Sequence, residues 1–227
     1  MLPKRILCLH GDGTNAMVFA AQTRQLRCAL ELHGIDLVYT TGPFECEPGY
    51  GVSPFFDDCG PFYRWSPNDP RDFDGSIDAE DDISNSTIME AGLTEMFEDL
   101  RYEYGDNVDD KSGRNTFAGI LGFSSAAAVA AGILSVQQNN DEQDTFPTFP
   151  SISKDQCTQS IKVPTVSIVG KQDHWQSQVK LINTYIDSNL VTYLEFENGH
   201  KVPSKEAQVQ EIVSAILNVI QKVEERS

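Results

Sequence analysis

Ser124, Asp173 and His200 are of residue types that together can cleave an acyl bond. A serine hydroxyl is a weak nucleophile until a base takes its proton, and a histidine does this best when a carboxylate fixes its tautomer. Ser124 closes the apolar run Phe117-Ala-Gly-Ile-Leu-Gly-Phe123 and, with Ser125, precedes an alanine-rich stretch from Ala126 to Leu134. Read as strand, tight turn and helix, this lifts the hydroxyl above the end of a sheet. The next backbone N–H groups then face a developing oxyanion. The pattern is that of a nucleophile elbow, G-x-S-x-G, with Ala126 in place of the second glycine, so strain is expected in the turn there. Taken alone, the stretch also reads as a serine cap on a buried helix. What favours chemistry is the order of Ser124, Asp173 and His200, each lying just past a strand.

A glycine-bearing loop adds a further piece. His10-Gly-Asp-Gly13 follows the first apolar run and can turn back over the sheet edge. The backbone N–H of Asp12 is then a candidate oxyanion donor beside that of Ser125. His10-Gly also reads as an ordinary strand exit. His174 neighbours Asp173 and is a second candidate base, whereas His33 precedes a helix-ending glycine and reads as structural. The four histidines have no metal-ligand spacing, so no metal and no cofactor are expected.

These positions need elements to hold them. Apolar runs at residues 5–10, 36–40, 117–122, 163–169 and 191–196 read as strands, and helical spacing marks residues 16–32, 86–104, 126–136, 177–186 and 204–223. Gly34 stands where a helix-ending glycine belongs. Such alternation predicts an α/β, doubly wound, mainly parallel sheet of about five strands with helices on both faces, as a single domain over residues 1–227. Ligands bind beyond the carboxyl ends of such strands, which is where the candidate residues fall. Between residues 41 and 85 lies a long irregular segment rich in proline and aromatics, and a loop of this length inside a domain is usually functional. Phe19, Tyr63, Trp65 and Trp175 are candidate pocket residues for an apolar substrate.

Composition narrows the rest. With 17 basic and 34 acidic side chains the formal charge is −17, which repels nucleic acid and anionic membrane. The acidic stretch 69–82 lacks a calcium-loop pattern and reads as a solvated loop. No apolar run is long enough for a membrane helix, and no secretory signal is seen. Five cysteines without a C-x-x-C pair fit reduced thiols in a cytoplasmic protein.

The sequence also resembles the fungal FSH-type serine hydrolases of the α/β-hydrolase superfamily. The resemblance is to the branch in secondary-metabolite gene clusters that includes the lovastatin-pathway thioesterase. It rests on Ile6-Leu-Cys-Leu-His-Gly-Asp-Gly-Thr-Asn-Ala16, Gly42-Pro-Phe-Glu-Cys-Glu-Pro-Gly49, Gly60-Pro-Phe-Tyr-Arg-Trp65, Leu121-Gly-Phe-Ser124, Gly170-Lys-Gln-Asp173 and Gly199-His-Lys-Val-Pro203. These matches run through nearly the whole chain in order. The resemblance implies an esterase or thioesterase whose triad maps onto Ser124, Asp173 and His200. It also implies a polyketide-type acyl substrate, delivered by a synthase carrier domain.

Three departures from that family stand out. Gly-Phe-Ser-Ser-Ala-Ala replaces the usual G-F-S-Q-G-A. Asp12 occupies a position usually small or aromatic, where a carboxylate would oppose an oxyanion or act as an acid–base group. Finally, the region 137–161 is polar and holds prolines that exclude a central strand, so one family strand is absent. That loss is expected to shift Asp173 by about one strand spacing, ~4.8 Å, unless the sheet closes up. These departures keep an alternative open: a repurposed relative that cyclises or isomerises a biosynthetic intermediate, or only binds it, with His200 or Asp12 as the acid–base group.

Overall fold

Five parallel strands carry the chain's apolar runs. In this computed structural model, which describes residues 4–67, 79–104, 117–139 and 160–225, β1 (Lys4–Leu9) lies between β2 (Ile35–Thr40) and β5 (Gly119–Gly122). Both pairings are parallel. A second parallel block pairs β6 (Thr165–Gly170) with β7 (Val191–Phe196). Among the described residues no strand joins β5 to β6, so the parallel strands form blocks of three and two.

Strand β1 shows why helices cover both faces. Its side chains alternate in direction. Leu7 and Leu9 pack with Leu93 and Phe97 of α3 (Ala79–Tyr104) and with Val129 and Ile133 of α4 (Ala126–Asn139). Ile6 and Cys8 pack oppositely, against Leu26 and Leu30 of α2 (Arg24–Glu31) and Ile212 of α6 (Glu206–Glu224). Phe196 of β7 joins that second cluster, so one apolar core spans both blocks. Helix α6 touches α2 and β6 and staples the blocks together.

Two local features differ from expectation. The single helix expected over residues 16–32 is two, α1 (Ala16–Gln22) and α2, separated at Thr23. The Thr23 hydroxyl donates to the Phe19 carbonyl at 2.7 Å and meets the Tyr39 hydroxyl at 2.6 Å, a side-chain bond that competes with continuing the helix. Within the segment 41–85, β3 (Phe44–Cys46) and β4 (Phe62–Arg64) form an antiparallel ribbon whose strands are too short to show a period of two.

The helix expected from residue 86 already begins at Ala79, and α5 (Gln176–Asn183) follows the Asp173 turn. No described helix is long and apolar enough to cross a membrane. Among the described residues Cys8, Cys28, Cys46 and Cys59 form no disulfide. Cys157, most of the acidic stretch 69–82 and nearly all of the polar region 137–161 lie outside the described residues.

Candidate active site

At the end of β5 the chain turns sharply. Ser124 has φ 60, the left-handed value that a residue with a side chain rarely adopts, and α4 opens directly after it. Strain of this kind is held where the surrounding structure forces it, commonly at functional sites. It sits on Ser124 and not at Ala126, whose methyl is fully buried in the core beneath α4.

The Ser124 hydroxyl lies 2.9 Å from His200 Nε2, and His200 Nδ1 lies 2.8 Å from Asp173 Oδ2. The other carboxylate oxygen, Oδ1, accepts the Trp175 backbone N–H at 2.8 Å. With Nδ1–H donating to the carboxylate, Nε2 is left to accept the serine proton, the arrangement a general base requires. Only 10% of the His200 side chain and 9% of the Asp173 side chain remain exposed, enough to shield their hydrogen bond from water.

The displacement expected of Asp173 is not observed. Asp173 and His200 follow the paired strands β6 and β7, so acid and base are carried by one block. Their loops also meet closely: a Cβ on Gly170 would stand 2.3 Å from the Asn198 carbonyl oxygen, so only glycine allows this approach. The Phe123 ring stacks on the His200 imidazole, with centroids 5.1 Å apart and planes 27° apart. Phe19 stacks behind Phe123 at 5.9 Å and is itself fully buried. Phe19 therefore supports the site from behind, and it also belongs to the lining of the space at Ser124.

The first loop is pinned from several sides. Gly13 has φ 72, and a Cβ there would lie 2.0 Å from the Gly49 nitrogen, so the loops 11–14 and 48–50 touch backbone to backbone. Gly49 N–H donates to the Gly13 carbonyl at 2.9 Å, and Gly13 N–H donates to the Tyr63 carbonyl at 2.9 Å. Trp65 Nε1–H donates to the His10 carbonyl at 2.6 Å. Among the described residues the N–H groups of Asp12 and Ser125 take no internal partner, whereas those of Ala126, Ala127 and Ala128 are bonded within the turn. The pair is thus free to meet an oxyanion. One carboxylate oxygen of Asp12, Oδ1, is buried without a hydrogen-bond partner.

His10 is fully buried and locks this loop. Nδ1 donates to the Gly11 carbonyl at 2.8 Å, and Nε2 accepts the Gly42 N–H at 2.9 Å, which requires a neutral ring. Burial pushes the His10 imidazole below its ordinary 6.5, against smaller upward pulls from the Gly11 carbonyl and the Asp12 carboxylate. The unfolded chain therefore binds a proton more readily than the folded one. The stabilisation is full above the unfolded value and is lost as pH falls from there through the lowered folded value, at most about 1.4 kcal/mol per pH unit. Urea midpoints measured from about pH 8 down to pH 5 should fall more steeply in the parent than in His10→Gln. Equal slopes would mean that His10 does not titrate on unfolding.

The space beside Ser124, Asp173 and His200 has Phe19, Trp175 and Tyr50 in its wall. Tyr63 and Trp65, expected beside it, are not part of that wall. Trp65 is only 1% exposed and packs against the His10 ring at 5.0 Å, because its indole N–H satisfies a loop carbonyl. Tyr63 serves through its backbone, which exchanges hydrogen bonds with Gly13 and Thr14. His174 is exposed, with its ring 5.9 Å from that of His200 and no bond to Ser124. His33 is exposed beyond α2. No cluster of metal-ligating side chains occurs among the described residues. Sequence reasoning singled out neither Phe123 nor Tyr50. Their signal was adjacency, the first to Ser124 and the second to Gly49 and Gly51.

Comparison with known proteins bears on family and fold. The family model described as "Serine hydrolase (FSH1)" matches residues 1–212. The esterase mlcF of Penicillium citrinum is 30% identical, over 97% of this chain and 91% of its own length. The thioesterase FSL2 of Gibberella zeae is 27% identical, over 94% of this chain and 91% of its own. Among solved structures, acyl-protein thioesterase 2 of Zea mays superposes with a TM-score of 0.55 at 15% identity, covering 96% of this chain and 94% of that one. A carboxylesterase of Mesorhizobium loti superposes at 0.52 and 14% identity, over 94% and 88%. These two likenesses are of fold alone, a parallel sheet covered by helices.

Proposed function

This chain belongs to the serine hydrolase (FSH1) family, and from that premise we propose that it cleaves an acyl thioester or carboxylic ester through Ser124, His200 and Asp173. The observation that carries this reading is the hydrogen-bond relay from the Ser124 hydroxyl to His200 and on to Asp173, at 2.9 and 2.8 Å. Ser124 Oγ attacks the acyl carbon while its proton passes to His200 Nε2. The N–H groups of Asp12 and Ser125 hold the tetrahedral oxyanion, and its collapse breaks the bond to the thiol or alcohol, which leaves with the proton from His200. Water, deprotonated by His200, then attacks the acyl-enzyme, and Ser124 recovers its proton as the acid departs.

The acyl group in this reading is a small-molecule, polyketide-type intermediate of fungal secondary metabolism, which a synthase carrier domain would present as a thioester. Support comes from the esterases and thioesterases to which the chain is similar. Four cysteines without a disulfide among the described residues suit a reducing cytoplasm. Cyclisation or isomerisation by His200 or Asp12 alone would give the strained φ of Ser124 no use.

A fluorophosphonate probe tests the reading directly. It should attach covalently to the peptide that carries Ser124, and a well-folded protein that takes up no label would sink the proposal.

A further inference from the structure

Around the mouth of the site stand aromatic rings that the core does not use. Tyr50 is 78% exposed and Trp175 46% exposed. Their backbones are nonetheless held by the machinery. Tyr50 follows Gly49, which is bonded to the first loop, and the Trp175 N–H is fixed by Asp173. The Tyr50 ring lies 5.7 Å from His174 at 77° and 6.5 Å from His200. Trp175 lies 5.2 Å from His174 at 48°. The His200 imidazole thus has Phe123 stacked on it at 5.1 Å and the rim rings of His174 and Tyr50 at 5.9 and 6.5 Å. Large aromatic surface left in water beside a catalytic cleft marks a binding surface.

We propose that Tyr50, His174 and Trp175 form a recognition rim for a planar acyl group, aromatic or conjugated, and select it over a saturated group of the same size. This rests on the reading of Ser124 as the nucleophile, since the rim then lies next to the acyl carbon. The rings are inclined to one another, so a flat ligand can lie face-on to one while meeting the edge of another, as aromatic pairs prefer. A puckered saturated ring of equal area gains burial from the same surfaces and no such alignment. Charge recognition has little part here, since among the rim residues only His174 can carry a charge.

The experiment compares phenylacetyl with cyclohexylacetyl thioesters of N-acetylcysteamine, a pair matched in size and in separation of ring from carbonyl. In Tyr50→Leu and Trp175→Leu, which keep apolar bulk, the phenylacetyl/cyclohexylacetyl ratio of kcat/KM should fall about five- to tenfold, the worth of one aromatic contact, and mainly through KM. A ratio unchanged within about twofold in both variants overturns the rim. A second measurement separates the rim from the nucleophile. In Ser124→Ala, which leaves the thioester intact, 2-naphthylacetyl thioester should quench the Trp175 emission, obtained by difference from a Trp175→Leu control. No quenching overturns the rim, whereas quenching alongside an unreactive parent protein upholds the rim and removes the hydrolase reading.

Discussion

Replacing Ser124 with alanine is expected to lower kcat on an acyl thioester by about 10⁶-fold, the scale seen when the nucleophile of a serine triad is removed. The fold should survive, because the hydroxyl's partner is His200, which keeps its bond to Asp173. Ser124→Gly makes a sharper companion. Ser124 is held at φ 60, a conformation that costs a residue with a Cβ roughly 1–2 kcal/mol and glycine very little. The glycine variant should therefore be as inactive as the alanine variant yet more resistant to urea by about 1 kcal/mol, less the entropy glycine loses on folding. Stopped-flow or steady-state release of thiol reads the first effect and a urea titration the second. Turnover within tenfold of the parent in either variant removes Ser124 from the chemistry. If Ser124→Ala abolishes product formation as fully as His200→Ala does, the general-base alternative without an acyl-enzyme loses.

Asp173→Asn should cost about 10⁴-fold in kcat with little change in KM, and the reason lies in Trp175. The Trp175 N–H needs an acceptor at the position of Oδ1, so the asparagine keeps its carbonyl oxygen there. The amide NH₂ then faces His200 Nδ1 and donates to it, where the carboxylate accepted. His200 is forced to carry its proton on Nε2, the atom that faces Ser124, and can no longer take the serine proton. Burial near the mean of the two side chains, about one-tenth exposed, leaves little water to rescue the wrong tautomer. A loss below about tenfold would show that the acid neither orients nor charges the histidine.

Much of the fold was legible because apolar runs have lengths and spacings that only certain elements satisfy. The strand read at residues 191–196 matches β7 at both ends, and the residues past each strand fall on one edge because parallel strands share a direction. The order Ser124, Asp173, His200 placed three side chains together for the same reason. Trp65 was misplaced because an aromatic in a proline-rich segment has the composition of a pocket wall. Its actual partner is a backbone carbonyl 55 residues away, which no local pattern reveals. The ribbon β3–β4 escaped notice because its pairing depends on contact with residues 13–14 and not on its own alternation. Residue 12 was weighed for both its backbone N–H and its carboxylate, but the contacts that hold its loop, from His10, Tyr63 and Trp65, come from residues no local pattern ties to it.

The division of the parallel strands has one further consequence. Ser124 ends a strand of the block β2-β1-β5, while Asp173 and His200 belong to the block β6–β7. Among the described residues the bond between base and acid therefore lies within the pair β6–β7, and the bond between nucleophile and base joins that pair to β5. Sliding one block past the other by an ångström leaves the dyad intact and opens the serine bond, a misplacement that costs on the order of 10²-fold in rate. The reaction rate is then sensitive to the packing of α6, which touches elements on both sides of that bond.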